Sequence, residues 1–269
     1  MILLLSVSGK LSGNSPPPFT TETITKNNQL IIGAGWSGLG IRDNGVSPLY
    51  YSGSHLSGYA GYMKSSHAFL STLNIRVLYG TIHPDIYPDL TDAGMKNLKA
   101  GGSYSYMRFA GIFAGGAGKL FFGGTLDSNL GHYKHNKYTN SAINQYFVTS
   151  LGLSGQASYS LDRDKNNFLL AFNLHVPFIA AIVRNGYAYI KPDGFLNHGT
   201  GNVQSFFRSI DIESLNNFFS LESELSLDYR LKDDNTWRIG YRWGYFGHKN
   251  SNVLKSATHG IYIQTLINL

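Results

Sequence analysis

The sequence predicts an all-β fold, a transmembrane antiparallel up-and-down β-barrel, and three observations carry that prediction. Apolar and polar residues alternate with a period of two through much of the chain. Several alternating stretches run to about 13–15 residues, whereas strands in soluble proteins usually have roughly five or six. Charged residues make up only 14% of the 269 positions, against roughly 25% in an average globular chain. A lipid-facing surface removes the need for a charged one. Aromatic residues also reach 14%, with 18 Tyr and 16 Phe, and there are 31 Gly.

No window approaches the ~18–20 consecutive apolar residues of a spanning helix. The longest internal apolar run is Phe178 to Val183, preceded by Pro177. A spanning strand, by contrast, uses only alternate residues for its apolar face, so moderate hydropathy suffices. The chain has no cysteine, which excludes disulfides, thiolate metal sites and cysteine nucleophiles.

The N-terminus, Met1-Ile2-Leu3-Leu4-Leu5-Ser6-Val7, has the apolar character of a secretory signal without its basic region. Pro16-Pro17-Pro18 then reads as an extended linker. Residues 1–27 are therefore assigned to a signal-like, Pro-rich segment and residues 28–269 to one barrel domain. Ten strands are predicted over 28–42, 48–63, 66–80, 98–112, 118–127, 143–160, 167–180, 217–231, 235–248 and 256–269. The second, fourth and fifth are rich in glycine, and their facing is left open. In the seventh, Phe168, Leu170, Phe172, Leu174, Val176 and Phe178 alternate with residues that include His175. In the eighth, Phe219, Leu221, Leu225, Leu227, Tyr229 and Leu231 alternate with Glu222, Glu224, Ser226, Asp228 and Arg230. The ninth sets Trp237, Ile239, Tyr241, Trp243 and Tyr245 against Arg238, Gly240, Arg242 and Gly244. The tenth sets Ile261, Ile263, Thr265, Ile267 and Leu269 against Tyr262, Gln264, Leu266 and Asn268.

Connections after even-numbered strands are uniformly short (64–65, 113–117, 161–166 and 232–234), and those after odd-numbered strands are mostly long. Bacterial barrels combine an even strand count with short periplasmic turns and longer extracellular loops. That pattern puts both ends of the barrel on the periplasmic side of a bacterial outer membrane. The connection 181–216 is long enough to hold another hairpin, which would make twelve strands.

If the aromatic face meets lipid through Trp237, Tyr241, Trp243 and Tyr245, then Glu222, Glu224, Asp228, Arg230, Arg238 and Arg242 point into the lumen. A three-residue turn at Lys232-Asp233-Asp234 would set Asp228 opposite Arg238 and Glu224 opposite Arg242, whereas a five-residue loop would make those pairs diagonal neighbours, still within reach. His175 shares that face, and a hydrogen bond to a network carboxylate is expected of it. The charges are expected to plug a narrow barrel as a paired network, with a selective polar channel or a catalytic carboxylate pair as the other outcome. His132 and His135, with Asp127 upstream, and the pair His83 and Asp85 are placed in loops. Two histidines fall short of the three or four converging ligands a metal needs, so no metal and no cofactor are expected.

The final segment, Ala257 to Leu269, resembles the C-terminal strand that outer-membrane barrels present to their assembly machinery, although most of those end in an aromatic residue. Ser47-Pro48-Leu49-Tyr50-Tyr51-Ser52-Gly53 and Leu174-His175-Val176-Pro177-Phe178 resemble uncharacterised outer-membrane proteins of the Bacteroidota type. These resemblances imply an envelope protein and no particular activity. Lipid A deacylases and outer-membrane phospholipases share a His-x-Ser-Asn segment. The nearest stretch here, Leu126-Asp127-Ser128-Asn129, lacks the histidine base. The Asp-x-His of ten-stranded omptin proteases does not occur either.

The expected role is thus a structural or interaction component of an outer-membrane complex, or a narrow pore, with catalysis disfavoured. A hydrolase acting on lipid, lipopolysaccharide or peptide at the extracellular rim is the alternative. The net charge of +6 suits anionic lipid and lipopolysaccharide phosphates as partners, alongside other outer-membrane proteins. Its basic residues are scattered and carry no nucleic-acid motif, so nucleic acid is not an expected partner.

Overall fold

A computed structural model describes residues 27–45, 47–86, 94–135, 143–161, 167–184, 210–249 and 252–269. The segment 1–26, with its signal-like stretch and Pro16–Pro18, lies outside the described residues. Eleven strands follow in order: β1 (Asn27–Asp43), β2 (Ser47–Ser65), β3 (Phe69–Pro84), β4 (Met95–Phe113), β5 (Gly118–His135), β6 (Ile143–Ser160), β7 (Phe168–Arg184), β8 (Asp211–Ser214), β9 (Phe218–Arg230), β10 (Thr236–His248) and β11 (Leu254–Asn268). Among the described residues, the only helical piece is a 3-10 turn at Ala114–Gly116. No helix there is long and apolar enough to cross a membrane.

Consecutive strands pair antiparallel except β8 and β9, which both pair with β7, and β1 pairs with β11 to close the wall. The short β8 continues the position of β9: it holds Ile179–Ile182 of β7, and β9 holds Phe168–His175. The barrel therefore has ten wall positions. Closure leaves no free edge into which a further hairpin could insert, which excludes the twelve-stranded alternative.

Alternation sorts every wall into two faces. On β1 the outward row includes Leu30, Ile32 and Trp36, all exposed, and the inward row includes Ile31, Ser37, Leu39 and Ile41, all buried. Trp237, Ile239 and Tyr241 on β10 and Ile261 and Ile263 on β11 are likewise exposed on the outside. A contiguous apolar surface around a whole barrel exceeds anything a soluble monomer presents to water. Lipid solvates it.

The strands depart from the sequence reading mainly at their long-loop ends. β3 starts at Phe69 rather than at 66 and continues to Pro84, β4 begins at Met95, and β5 runs on to His135, eight residues past its predicted end. Gly123, Gly124 and Gly131 hide the alternation of β5, because a glycine marks neither face. As a result His132 and His135 are strand residues, and so is His83. Positions three apart on a strand point to opposite faces, so His132 and His135 cannot share one ligand. Asp85 accepts a hydrogen bond from the Ser52 hydroxyl.

β7 contains a β-bulge. The β6 pairing steps from Leu151↔Ile179 to Gly152↔Pro177, leaving Phe178 unpaired. The extra residue switches which parity faces inward. His175 is luminal before the bulge, whereas Ala180, Ile182 and Arg184 face inward after it. At the opposite end, β9 and β10 are joined through Lys232-Asp233-Asp234, with Asp234 in the left-handed region at φ 63°. That turn fixes their register.

Candidate functional site: the occluded lumen

The inward rows of β9 and β10 carry the densest chemistry in the barrel. Register places Asp228 opposite Arg238 and Glu224 opposite Arg242. Arg238 donates from Nε and a terminal nitrogen to both Asp228 oxygens, at 2.6 and 2.7 Å, a bidentate fork. Arg242 donates to Glu224 Oε2 from Nε at 2.7 Å and again from a terminal nitrogen. Its guanidinium also lies 5.5 Å from the Tyr59 ring centroid and 5.7 Å from that of Tyr262, within cation–π range.

Other contacts span the barrel. Arg76 on β3 reaches Glu222 on β9 at 3.6 Å. These walls are five positions apart in a ring of ten, so the pair crosses a diameter. Lys99 on β4 donates to Ser256 Oγ on β11 at 2.8 Å. Asn144 on β6 donates to Asp43 on β1 at 3.2 Å, again across a diameter. Arg184 on β7 pairs with the same Asp43 and donates to the Asn252 carbonyl at 2.5 Å. His55 Nε2 meets Asn97 Oδ1 at 3.0 Å, bridging over Gly80 of the intervening β3. Side chains thus meet across the full width of the ring at two levels.

Charge at mid-barrel is balanced. Arg76, Lys99, Arg238 and Arg242 face Asp127, Glu222, Glu224 and Asp228 across the same two connected cavities and their walls. Four basic side chains stand against four acidic ones, and the direct pairs Arg238–Asp228, Arg242–Glu224 and Arg76–Glu222 offset part of the cost of confining either sign.

Towards the long-loop end the chemistry changes. Leu39, Ile41, Tyr51, Ile82, Met95, Tyr133, Tyr146, Val148, Ala180, Ile182, Phe218 and Leu254 form one buried apolar cluster, with Phe246 packed against it. Every one of the ten wall positions contributes. The Tyr146 and Phe246 rings stack with centroids 5.9 Å apart. Burying each large apolar side chain is worth roughly 1.5–3 kcal/mol relative to a wet lumen. This layer seals the barrel above the charges.

The luminal space lies below the seal. A cavity of about 660 Å³ opens at the short-turn end, between Asn27, Ser65, Gly115, Ser160 and Asp234 at its mouth and the Asp228–Arg238 pair at its floor. A second cavity of about 140 Å³ follows at mid-barrel, sharing Met63, Gln156 and Arg238 with the first. A third of about 60 Å³ shares Asp127 and Glu222 with the second and ends beneath Tyr146 and Phe218. These three cavities lie on the short-turn side of the apolar layer.

Glycine admits the crossing aromatics. The Tyr262 ring lies where a Cβ on Gly240 would be, 2.3 Å from its nearest atoms, and Tyr146 covers Gly131 in the same way. Gly240→Ser is therefore expected to lower stability by about 1–3 kcal/mol through overpacking. Gly244→Ser, where the nearest atom is the movable Thr258 hydroxyl at 3.1 Å, should cost less. Denaturant titration of the folded protein in micelles checks the order. Equal effects would show that Tyr262 swings away freely.

Of the residues singled out from sequence, Glu222, Glu224, Asp228, Arg238 and Arg242 meet in this lumen. Arg230 does not join them. It turns to the rim and binds Asp234 in its own turn, at 2.8 and 3.1 Å, because it is the last residue of β9 and half exposed. His175 faces the lumen, but its Nδ1 meets Ser154 Oγ at 3.0 Å and the Leu153 carbonyl at 3.3 Å, not a carboxylate. Trp237 and Tyr241 are exposed on the outer wall, with Trp243 and Tyr245 half-buried on the same face. Sequence reading missed Arg76, Lys99, Asp43 and Arg184. Arg76 had a usable signal, since it alternates with Ile75 and Val77 on β3. The others sit beside glycine-rich or bulged stretches that carry none. Among the described residues, no group of three His, Cys, Asp or Glu could hold a metal.

Comparison with known structures agrees with the architecture. The chain is similar to the outer membrane protease OmpT from Escherichia coli, with a TM-score of 0.58 at 7% identity, over 93% of this chain and 99% of that chain. It is also similar to Neisserial surface protein A, with a TM-score of 0.35 at 10% identity over 87% and 95% of the two chains. For the P. putida toluene transporter TodX the TM-score is 0.35 at 9% identity, over 91% and 90%. At 7% identity the likeness to OmpT is one of fold. Comparison with curated protein sequences finds no match. A family model does match, over residues 2–266, and the chain belongs to that family, described as a protein of unknown function, DUF3316.

Proposed function

We propose that this protein is an outer-membrane β-barrel with a closed lumen, acting as a structural or interaction component of the envelope rather than as an open pore. One observation carries the reading: side chains meet across the full diameter at two levels, Arg76 with Glu222 and Asn144 with Asp43. The apolar layer from all ten walls adds a second barrier, and hydrophobic constrictions exclude ions by dewetting. The rim carboxylate of Asp43 is taken up by Arg184 and Asn144. That favours a strut between β1, β6 and β7 over a free acid or base.

Membrane location and orientation are tested together. The chain has no native cysteine, so single substitutions report cleanly. Lys249→Cys, at the long-loop end and exposed, should react with an impermeant maleimide on intact cells. Asp233→Cys, in the short turn after β9, should react only after the outer membrane is breached. Reaction of both on intact cells, or of Asp233→Cys alone, would reverse or remove the assigned orientation.

A further inference from the structure

The outer wall carries an electrostatic conflict. On neighbouring strands, Arg42 of β1 lies directly opposite Lys255 of β11, and Lys96 of β4 lies directly opposite Lys134 of β5. All four are outward positions in the alternation, at the long-loop ends of their strands. Like charges facing each other across a ladder destabilise a sheet, and one such pair would be an oddity. Two at the same end of one barrel ask for a compensating anion.

The directly paired neighbours supply none, and Asp85, beyond Tyr50 on the next strand, accepts from the Ser52 hydroxyl. The flanking cross-strand residues are Tyr50 beside Arg42, Gly247 beside Lys255, Thr81 beside Lys96 and Ile143 beside Lys134. None is acidic. Arg42 donates to the Asn44 side chain at 3.2 Å and stacks over Tyr50, both neutral partners. Lys96, Lys134 and Lys255 are exposed, and none takes part in an ion pair among the described residues. Further along each strand the outward row turns apolar, through Leu98 on β4, Leu130 on β5, and Ile261 and Ile263 on β11. Each basic pair thus sits where an apolar lipid face gives way to the long-loop rim, at the depth of lipid headgroups.

We infer that the Arg42–Lys255 and Lys96–Lys134 pairs are two phosphate clamps that hold the phosphorylated headgroups of lipopolysaccharide in the outer leaflet. This rests on the outer-membrane reading above, in which the long-loop end faces outward. An ammonium or guanidinium on each of two adjacent strands, about 5 Å apart, can close on one phosphate from both sides. The headgroup replaces mutual repulsion with two charge-assisted contacts. The lipid then becomes part of what keeps the upper ends of β1, β11, β4 and β5 in register.

The test uses the refolded full chain in a non-ionic detergent, with native mass spectrometry counting bound bis-phosphorylated lipid A. Retention of lipid A by the wild type is expected, with about tenfold weaker binding for Lys96→Gln/Lys134→Gln and for Arg42→Gln/Lys255→Gln. Lys64→Gln/Lys232→Gln, at the short-turn end, should bind like the wild type, and dephosphorylated lipid A should not be retained. Equal retention by all variants, or of the dephosphorylated lipid, would overturn the proposal. So would inorganic phosphate alone if it raised the melting temperature as much as lipid A does through the same residues, since that would mark a free-phosphate site. Heat-modifiable gel migration of each variant reports the barrel separately. A variant that migrates as folded yet binds normally counts against the clamps alone, whereas a wild type that never becomes heat-modifiable counts against the barrel reading beneath them.

Discussion

Arg242→Ala should be among the most damaging single changes in the barrel. It removes the fork on Glu224 and the cation shared by the Tyr59 and Tyr262 rings. Glu224 is then left confined in a narrow lumen without its paired counter-charge, with Arg238 the remaining cation beside it. Removing one member of a buried pair costs about 3–5 kcal/mol. The cavity of about 140 Å³ beside it can hydrate the orphaned carboxylate, which draws the expectation to the lower end of that span. Glu224→Ala combined with Arg242→Ala should recover part of the loss, because neither charge is stranded. Urea titration followed by tryptophan fluorescence supplies the four corners of the cycle. Strict additivity would mean that the two residues do not interact in solution.

The second large effect is expected on the opposite face. Tyr241 is exposed near the middle of the outward row of β10, between Ile239 and Trp243. A basic residue near the bilayer midplane of a barrel costs roughly 2–4 kcal/mol. Tyr241→Arg should therefore slow or block folding into phospholipid vesicles. Tyr241→Leu, which keeps the site apolar, should fold normally. If the arginine variant inserts as readily as the leucine variant, this face does not contact lipid.

Both sites lie on strands whose local sequence declares its own facing. β9 and β10 are legible because both of their faces carry strong chemistry, carboxylates and guanidinia against aromatics, and because a three-residue turn leaves one register. β5 is located only in its first half, and its facing is undeclared throughout. Beyond Leu126 its outward row passes through Ser128 and its inward row through Asn129 and Gly131, so neither face announces itself. β7 misleads in a different way. Alternation is clear up to Phe178, and then one unpaired residue moves Arg184 to the luminal side. β8 is four residues long and held only by β7, too short for any periodic signal.

The closure of the lumen is the least legible feature. Arg76 and Glu222 are 146 positions apart in sequence (222 − 76) and meet only because the ring has ten positions. Their pairing depends on barrel diameter, which no local pattern encodes. The apolar layer is distributed in the same way, as one or two residues from each wall, each ordinary on its own strand. What alternation does encode is the inward row, and the size of the ring then decides which inward residues touch.

Conductance in planar bilayers is the most direct measurement of the central claim. With Arg76–Glu222 spanning one diameter, Asn144–Asp43 spanning another, and an apolar layer built from all ten walls, wild-type protein inserted into a bilayer should pass no steady current above the bare membrane. Stable, ion-selective single-channel steps from the wild-type protein would contradict the closed lumen and establish a pore.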